Sequence, residues 1–248
     1  MALGMMEVTT AWLVRAIATG LPSLVVLGSC MSPRTGDADA ERRALVEELR
    51  TQGVCDERVL AAIARIPRHE FVPATEEHRA YANRALPIGG GQTISQPLVV
   101  ATMSAALELD GTERVLEVGT GSGYQAAVLS VLAREVYSVE IDADLAVQAK
   151  ELLARLGIGN VRVRAGDGFY GWPEAAPFDA IIVTAAAPRM PERLVEQLGA
   201  GGRIIAPIGD ERSQRLVIGH KRAGEWQTEE AMDVLFVPMT GEIRAPID

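Results

Sequence analysis

The sequence predicts an α/β protein: a mostly parallel sheet flanked by helices, an antiparallel C-terminal hairpin, and an N-terminal helical extension. Three observations predict it. After Gly111, short apolar runs alternate with segments of helical periodicity, the pattern of parallel strands joined by crossover helices. The tail departs from this pattern, with two strand-like runs and no helix between them. The composition is 48% hydrophobic but only 4% aromatic, which suits helices packed on a sheet better than a small β-rich module. A length of 248 residues allows one domain with extensions or two small ones.

Taken in order, the chain opens with an apolar stretch at 16–27, preceded by Arg15 and ending in Leu27-Gly28-Ser29-Cys30. That ending resembles a bacterial lipoprotein cleavage box, which would export the protein anchored at Cys30. Against it stand the single Arg15, the acidic Glu7 and the break at Gly20-Leu21-Pro22. The alternative is translation from Met31 and a cytoplasmic protein. The stretch is too short and broken to predict a stable membrane span. Residues 1–38 therefore read as a signal or flexible segment, 39–111 as a helical and substrate-signature region, and 112–248 as the cofactor-binding domain.

Leu45, Val46 and Leu49 give 40–50 helical spacing, and Gly53 stops it. Asp56 caps a second helix carrying Val59, Leu60 and Ile63, which Pro67 ends. Residues 71–97 are irregular, and Gly89-Gly90-Gly91 reads equally as a lid hinge or a plain turn. Ser95-Gln96-Pro97 opens a helix over 98–109. Strands are expected at 114–118, 136–140, 161–165, 180–184 and 203–207, with helices near 125–133, 144–156 and 191–198. The tail strands fall at 215–219 and 232–237.

A net charge of −9 and a pI of about 5.0 argue against nucleic acid as a substrate, since Arg42-Arg43 and Arg162/Arg164 are too scattered to form a basic patch. The 3 histidines and 2 cysteines show no zinc spacing, so no metal site is expected. Cys55 reads as a buried or half-buried small residue. The acidic charge and the lack of a coiled-coil pattern favour a monomer.

The chemistry begins at Glu117-Val118-Gly119-Thr120-Gly121-Ser122-Gly123, which follows the first strand of the domain and opens a helix. Ligands of open α/β sheets bind at such carboxyl ends, where glycines let backbone approach closely and helix N–H groups stand free. The spacing is G-x-G-x-G with Tyr124 where a dinucleotide motif wants its third glycine, and Glu117 stands two residues before the first. This resembles motif I of the seven-strand S-adenosylmethionine methyltransferases and implies their Rossmann-like sheet, with S-adenosyl-L-methionine as cofactor. The resemblance implies that Glu117 anchors the methionine end, that Glu140 accepts from the ribose hydroxyls, and that Asp167-Gly168 meets the adenine edge. Each acid alone reads more readily as a helix cap or a solvated charge; three at three successive strand ends favour the cofactor.

The string Ala85-Leu86-Pro87-Ile88-Gly89-Gly90-Gly91-Gln92-Thr93-Ile94-Ser95-Gln96-Pro97 resembles the signature of protein-L-isoaspartate O-methyltransferases. Arg68-His69-Glu70-Phe71-Val72-Pro73, Val183-Thr184-Ala185-Ala186-Ala187-Pro188, Gly201-Gly202-Arg203 and Phe236-Val237-Pro238 fit the same family, so the resemblance covers roughly 40–241. It implies methyl transfer to the α-carboxylate of L-isoaspartyl residues in damaged proteins and peptides, with D-aspartyl residues as a further candidate. The ester then closes to a succinimide, which begins repair. The family's active-site serine falls on Ser95, with Thr93, Ile94 and Gln96 lining the junction of peptide and cofactor.

Residue chemistry agrees. An α-carboxyl has a pKa of about 3.3–3.7, so the nucleophile is already ionised and needs no general base. Orientation is the main requirement, and alignment can supply on the order of 7–11 kcal/mol. Ser95 then positions the carboxylate by hydrogen bonding; from the residues alone it reads more readily as the helix N-cap, and both roles can coexist. Competing classes are a small-molecule methyltransferase, which leaves the 87–97 string unexplained; an NAD-dependent oxidoreductase, which wants a different glycine pattern; and a binding module without turnover.

Overall fold

Burial of an apolar face on each of two short helices organises the start of the chain. The computed structural model describes residues 35–222 and 225–244, so the 16–27 stretch and Cys30 lie outside it. Helix α1 (Thr35–Thr51) presents Leu45 and Leu49 to helix α2 (Glu57–Arg65), whose buried face is Val59, Leu60 and Ile63. Each such burial contributes about 1.5–3 kcal/mol. Asp56 caps α2 as expected, its side chain accepting from the Arg58 and Val59 N–H groups. Cys55, expected to be buried or half-buried, is exposed: it stands on the turn between the two helices, outside their apolar contact.

Next comes a hairpin that the sequence did not predict, β1 (Leu86–Gly89) and β2 (Gln92–Ile94), paired antiparallel. Gly90 and Gly91 are its two loop residues, with φ of +59° and +76°. Positive φ at both central positions matches the twist of a tight hairpin and favours glycine. The triple glycine is therefore a turn. Helix α3 (Pro97–Ala106) follows at once.

The seven-stranded sheet then forms as β3 (Arg114–Val118), β4 (Glu135–Glu140), β5 (Val161–Ala165), β6 (Phe178–Val183), β7 (Leu198–Gly209), β8 (Gln214–Arg222) and β9 (Glu225–Val234). Its order is β5-β4-β3-β6-β7-β8-β9, parallel through β7 and antiparallel at β7–β8 and β8–β9. The crossovers are α4 (Tyr124–Leu132), α5 (Ala143–Arg155) and the single turn α6 (Glu192–Val195). Helix α6 is shorter than the expected 191–198 because Leu198 already pairs with Phe178 in the sheet. The last strand ends at Val234 rather than 237, and its start at Glu225 lies well before the expected 232.

Strand alternation divides the interior in two. Leu116 and Val118 join Tyr137, Val139, Ile181 and Val183 on one face. Val115, Val136, Ala180 and Ile182 join α1, α2, α3 and α4 on the other, in one continuous apolar cluster. By the same alternation Glu117 and its register partner Ser138 fall on this second face. Among the described residues no helix is long and apolar enough to cross a membrane.

Candidate active site

The sheet reverses direction at β3, with β4 laid on one side and β6 on the other, and this is where open α/β sheets hold ligands. A cleft of about 810 Å³ opens there, over the carboxyl ends of β3, β4 and β6. Its floor is the glycine loop. Gly119 N–H donates to Val139 O at 2.8 Å, and Thr184 Oγ1 donates to Gly119 O at 2.6 Å. Gly119 has φ +100°, and a Cβ on it would sit 2.4 Å from Thr184 Oγ1. The loop closes this tightly only without a side chain. Gly123 is the N-cap of α4 with no side-chain cap, so the helix's first N–H groups lie open beside lining residues Gly121, Ser122 and Tyr124.

The three strand-end acids take different positions. Glu140 is buried and lines the cleft; its Oε2 accepts from Gly121 N–H at 2.7 Å and its Oε1 from Asp142 N–H at 3.1 Å. It thereby ties the loop to β4. Glu117 lies beneath the loop, fully buried and outside the lining. Its Oε2 accepts from Ser138 Oγ, and its Oε1 has no partner among the described residues. Burial pushes its carboxyl up to about 8, with the nearby Glu140 charge adding to the rise and the Ser138 hydrogen bond opposing it. Ser138 Oγ lies 2.5 Å from Thr120 Oγ1, and Thr120 does line the cleft. Asp167 stands outside the lining. Its Oδ1 accepts from Phe169 N–H and its Oδ2 from Glu242 N–H, both at 2.9 Å, whereas Gly168 beside it does line the cleft.

A second cleft of about 890 Å³ adjoins the first. Thr93, Ser95, Thr184 and Val237 line both; Ile94 lines only the first and Gln96 only the second. Ser95 is half-buried, and its hydroxyl makes no hydrogen bond among the described residues. It is not the cap of α3. Gln96 holds that position without a side-chain cap, and Asn83 Oδ1 accepts from Leu98 N–H at 3.0 Å instead. Gln96 Nε2 donates to Asn83 O at 3.0 Å, which fixes the residue after Ser95. The segment that leads into the hairpin is held by buried Arg68, which donates to Ala80 O at 2.8 Å and lies over the Tyr124 ring at 4.8 Å. His69, His78 and His220 line neither cleft.

Of the residues anticipated from sequence, the structure gathers Thr93, Ile94, Ser95, Gly119, Thr120, Gly121, Ser122, Glu140 and Gly168 at the first cleft. Gln96 is on the second, and Glu117, Gly123 and Asp167 lie behind the walls. Thr184 and the segment from Val237 to Thr240 were not anticipated as lining. That segment is fastened by Ala186 N–H to Val237 O at 2.8 Å and Met239 N–H to Ala186 O at 2.7 Å. The signal was available: both strings match family segments that carried no assigned role. Ser138 and Asn83 carried no signal of their own.

Comparison with known proteins agrees with this geometry. Residues 40–244 match the family model for protein-L-isoaspartate(D-aspartate) O-methyltransferase. A protein-L-isoaspartate O-methyltransferase 2 from Polaromonas sp. strain JS666 is 51% identical over 207 residues, covering 82% of this chain and 98% of the relative. One from Methanoculleus marisnigri is 53% identical over 203 residues, covering 82% and 92%. A solved protein-L-isoaspartate O-methyltransferase superposes with a TM-score of 0.75 at 34% identity, over 82% of this chain and 67% of that one. A Plasmodium falciparum structure described as the same kind of enzyme, in complex with S-adenosyl-L-homocysteine, gives 0.71 at 26% identity, over 80% and 98%.

Proposed function

The chain belongs to the protein-L-isoaspartate(D-aspartate) O-methyltransferase family, and from that premise we propose that it methylates the α-carboxylate of L-isoaspartyl residues in damaged proteins and peptides, using S-adenosyl-L-methionine. The resulting ester closes to a succinimide and starts repair. The observation that carries this reading is the wall common to the two clefts, where Thr93 and Ser95 face both. A methyl donor in the first cleft and a carboxylate in the second would meet across it.

The residues present fit the cofactor. The loop at Gly119 has no room for a side chain, and the buried Glu117 Oε1 lacks a donor of its own. The backbone of Gly119, Thr120, Gly121 and Ser122 would hold the methionine end, with Gly123 behind them opening α4, while Glu140 would hold the ribose hydroxyls and Gly168 the adenine side. When bound, S-adenosylmethionine supplies a sulfonium-activated methyl group. The chain's own residues orient and dry the nucleophile. Ser95 donates a hydrogen bond to the substrate carboxylate and aims it, with Thr93, Ile94 and Gln96 around it. No base is required, because the carboxylate is ionised at neutral pH, and this accords with clefts that no histidine lines.

The test offers labelled S-adenosylmethionine with two peptides that differ only in isoaspartyl or aspartyl at one position. Base-labile methyl ester on the isoaspartyl peptide alone is expected. Equal labelling of both, or of neither, refutes the reading. We also take the enzyme to be a cytoplasmic monomer, in keeping with its acidic charge. Sedimentation checks the second point, and mass spectrometry of the mature N-terminus the first: a lipidated Cys30 would overturn it.

A further inference from the structure

Glu117 is a carboxyl buried beneath the cofactor loop, yet it does not reach the cleft. Ser138, paired with it across β3 and β4, donates to Glu117 or accepts from it, and Thr120 stands 2.5 Å further on. Glu117 and Ser138 are wholly buried and Thr120 is 4% exposed; of the three, only Thr120 lines the cleft. A continuous chain of two hydroxyls therefore runs from a buried acid to the cofactor surface.

Each hydroxyl has one hydrogen to give, so the chain has a direction. With Glu117 ionised, its carboxylate can only accept. Ser138 donates to it and accepts from Thr120, and Thr120 turns lone pairs toward the cleft. With Glu117 protonated, the order reverses: Glu117 donates to Ser138, Ser138 donates to Thr120, and Thr120 turns its hydrogen outward. Either state keeps Glu117 Oε2, Ser138 Oγ and Thr120 Oγ1 hydrogen-bonded to one another, and Glu117 Oε1 has no partner among the described residues in either. They differ in what the cleft sees.

We propose that Ser138 is a positioning residue for the cofactor, relaying the protonation state of Glu117 to Thr120 and thereby setting whether the cleft presents an acceptor or a donor to the ligand's methionyl ammonium group. An ammonium group only donates, so it selects the ionised direction, and binding expels a proton from Glu117. Burial holds Glu117 protonated at neutral pH, at about 8, and Glu140 on β4 pushes it the same way. Tyr124 on α4 is held above its ordinary value by burial and stays neutral. The relay rests on the cofactor reading above.

Calorimetry of S-adenosylhomocysteine binding to the full chain tests it without turnover. Titrations at pH 7 in two buffers of different protonation enthalpy count the protons exchanged. The wild type should release close to one, and its affinity should rise about tenfold per pH unit between pH 6 and 7.5. Glu117→Gln should release none. Ser138→Ala should lose most of the release and flatten the pH slope, and Ser138→Thr, which keeps the hydroxyl, should restore both. Thr120→Val is near-isosteric on the loop and carries the same expectation should Ser138→Ala fail to fold. Wild-type release from Ser138→Ala or Thr120→Val would show that Glu117 meets the ligand directly and would overturn the relay. Binding by the wild type with no proton released overturns it too, leaving the cofactor reading intact. No binding by the wild type overturns both.

Discussion

Replacing Gly119 by alanine should cost about 2–3 kcal/mol, and the sum can be traced to two atoms. The first part is conformational. Gly119 has φ +100°, and holding an L-residue in left-handed space costs about 1–2 kcal/mol. The second part is a contact. The new Cβ would lie 2.4 Å from Thr184 Oγ1, while the next nearest atoms stand at 3.7 Å, an ordinary separation. Thr184 must therefore rotate, surrendering its hydrogen bond to Gly119 O at 2.6 Å, a net loss of about 1 kcal/mol. Urea denaturation of the ligand-free protein measures the total, an unfolding constant changed by about 30- to 150-fold. A double-mutant cycle with Thr184→Ala isolates the contact. Thr184→Ala alone loses the same hydroxyl bond, so the double variant should be no worse than Gly119→Ala alone, short of additivity by about 1 kcal/mol. An unaltered Gly119→Ala protein, or single costs that simply add, would refute this account of the loop.

Three further outcomes are expected. Ser95→Ala should bind S-adenosylhomocysteine as the wild type does but lose about 10- to 150-fold in kcat/KM for an isoaspartyl peptide, the equivalent of about 1.5–3 kcal/mol for a hydrogen bond to a charged group; full activity would remove Ser95 from the site. Glu117 has a folded value of about 8, above its ordinary 4.5, so the folded state holds the extra proton and ligand-free stability should fall as pH rises from about 4.5 toward 8. The slope is at most about 1.4 kcal/mol per unit, and thermal unfolding of Glu117→Gln across pH 5.5–8 should show a flatter profile. Asn83→Ala removes the acceptor for Leu98 N–H and should lower stability by about 1 kcal/mol while raising the peptide KM and sparing cofactor binding, which denaturation and steady-state kinetics separate.

The strands buried along most of their length, β3, β4 and β6, were legible as short, mostly apolar runs and fall within two residues of expectation, whereas the edge strand β5 was legible from its Val-Arg-Val-Arg alternation. The elements that escaped lack that signature. Strands β1 and β2 have four and three residues, and β1 contains Pro87. Their pairing rests on the two-glycine turn and shows no alternation. Strand β9 is the sheet edge, exposed along most of its length, so Glu229, Glu230 and Asp233 carry no period for burial to impose. The apolar residues from Met232 to Val237 drew the expectation past its true end. There the chain leaves the sheet, and Phe236 is taken by the Gln214 side chain, which accepts from its N–H at 2.6 Å and donates to its carbonyl at 3.1 Å.

For the site, legibility followed the distance between a residue and what defines its role. The glycine loop is self-contained in seven residues and reads from the chain. The three acids looked equivalent because each closes a strand, and only their surroundings separate them. Glu140 has two backbone N–H groups donating to it and stands at the cleft wall. Asp167 also finds two, but one belongs to Glu242 at the far end of the chain, so its carboxylate is spent closing the structure and Gly168 alone faces the ligand space. Glu117 finds no N–H group, only the Ser138 hydroxyl from the neighbouring strand, and with one oxygen unpartnered its burial pushes the carboxyl up to about 8. The number of donors each fold position offers, a property of strands far apart in sequence, turns one repeated residue type into a wall, a fastening and a proton store.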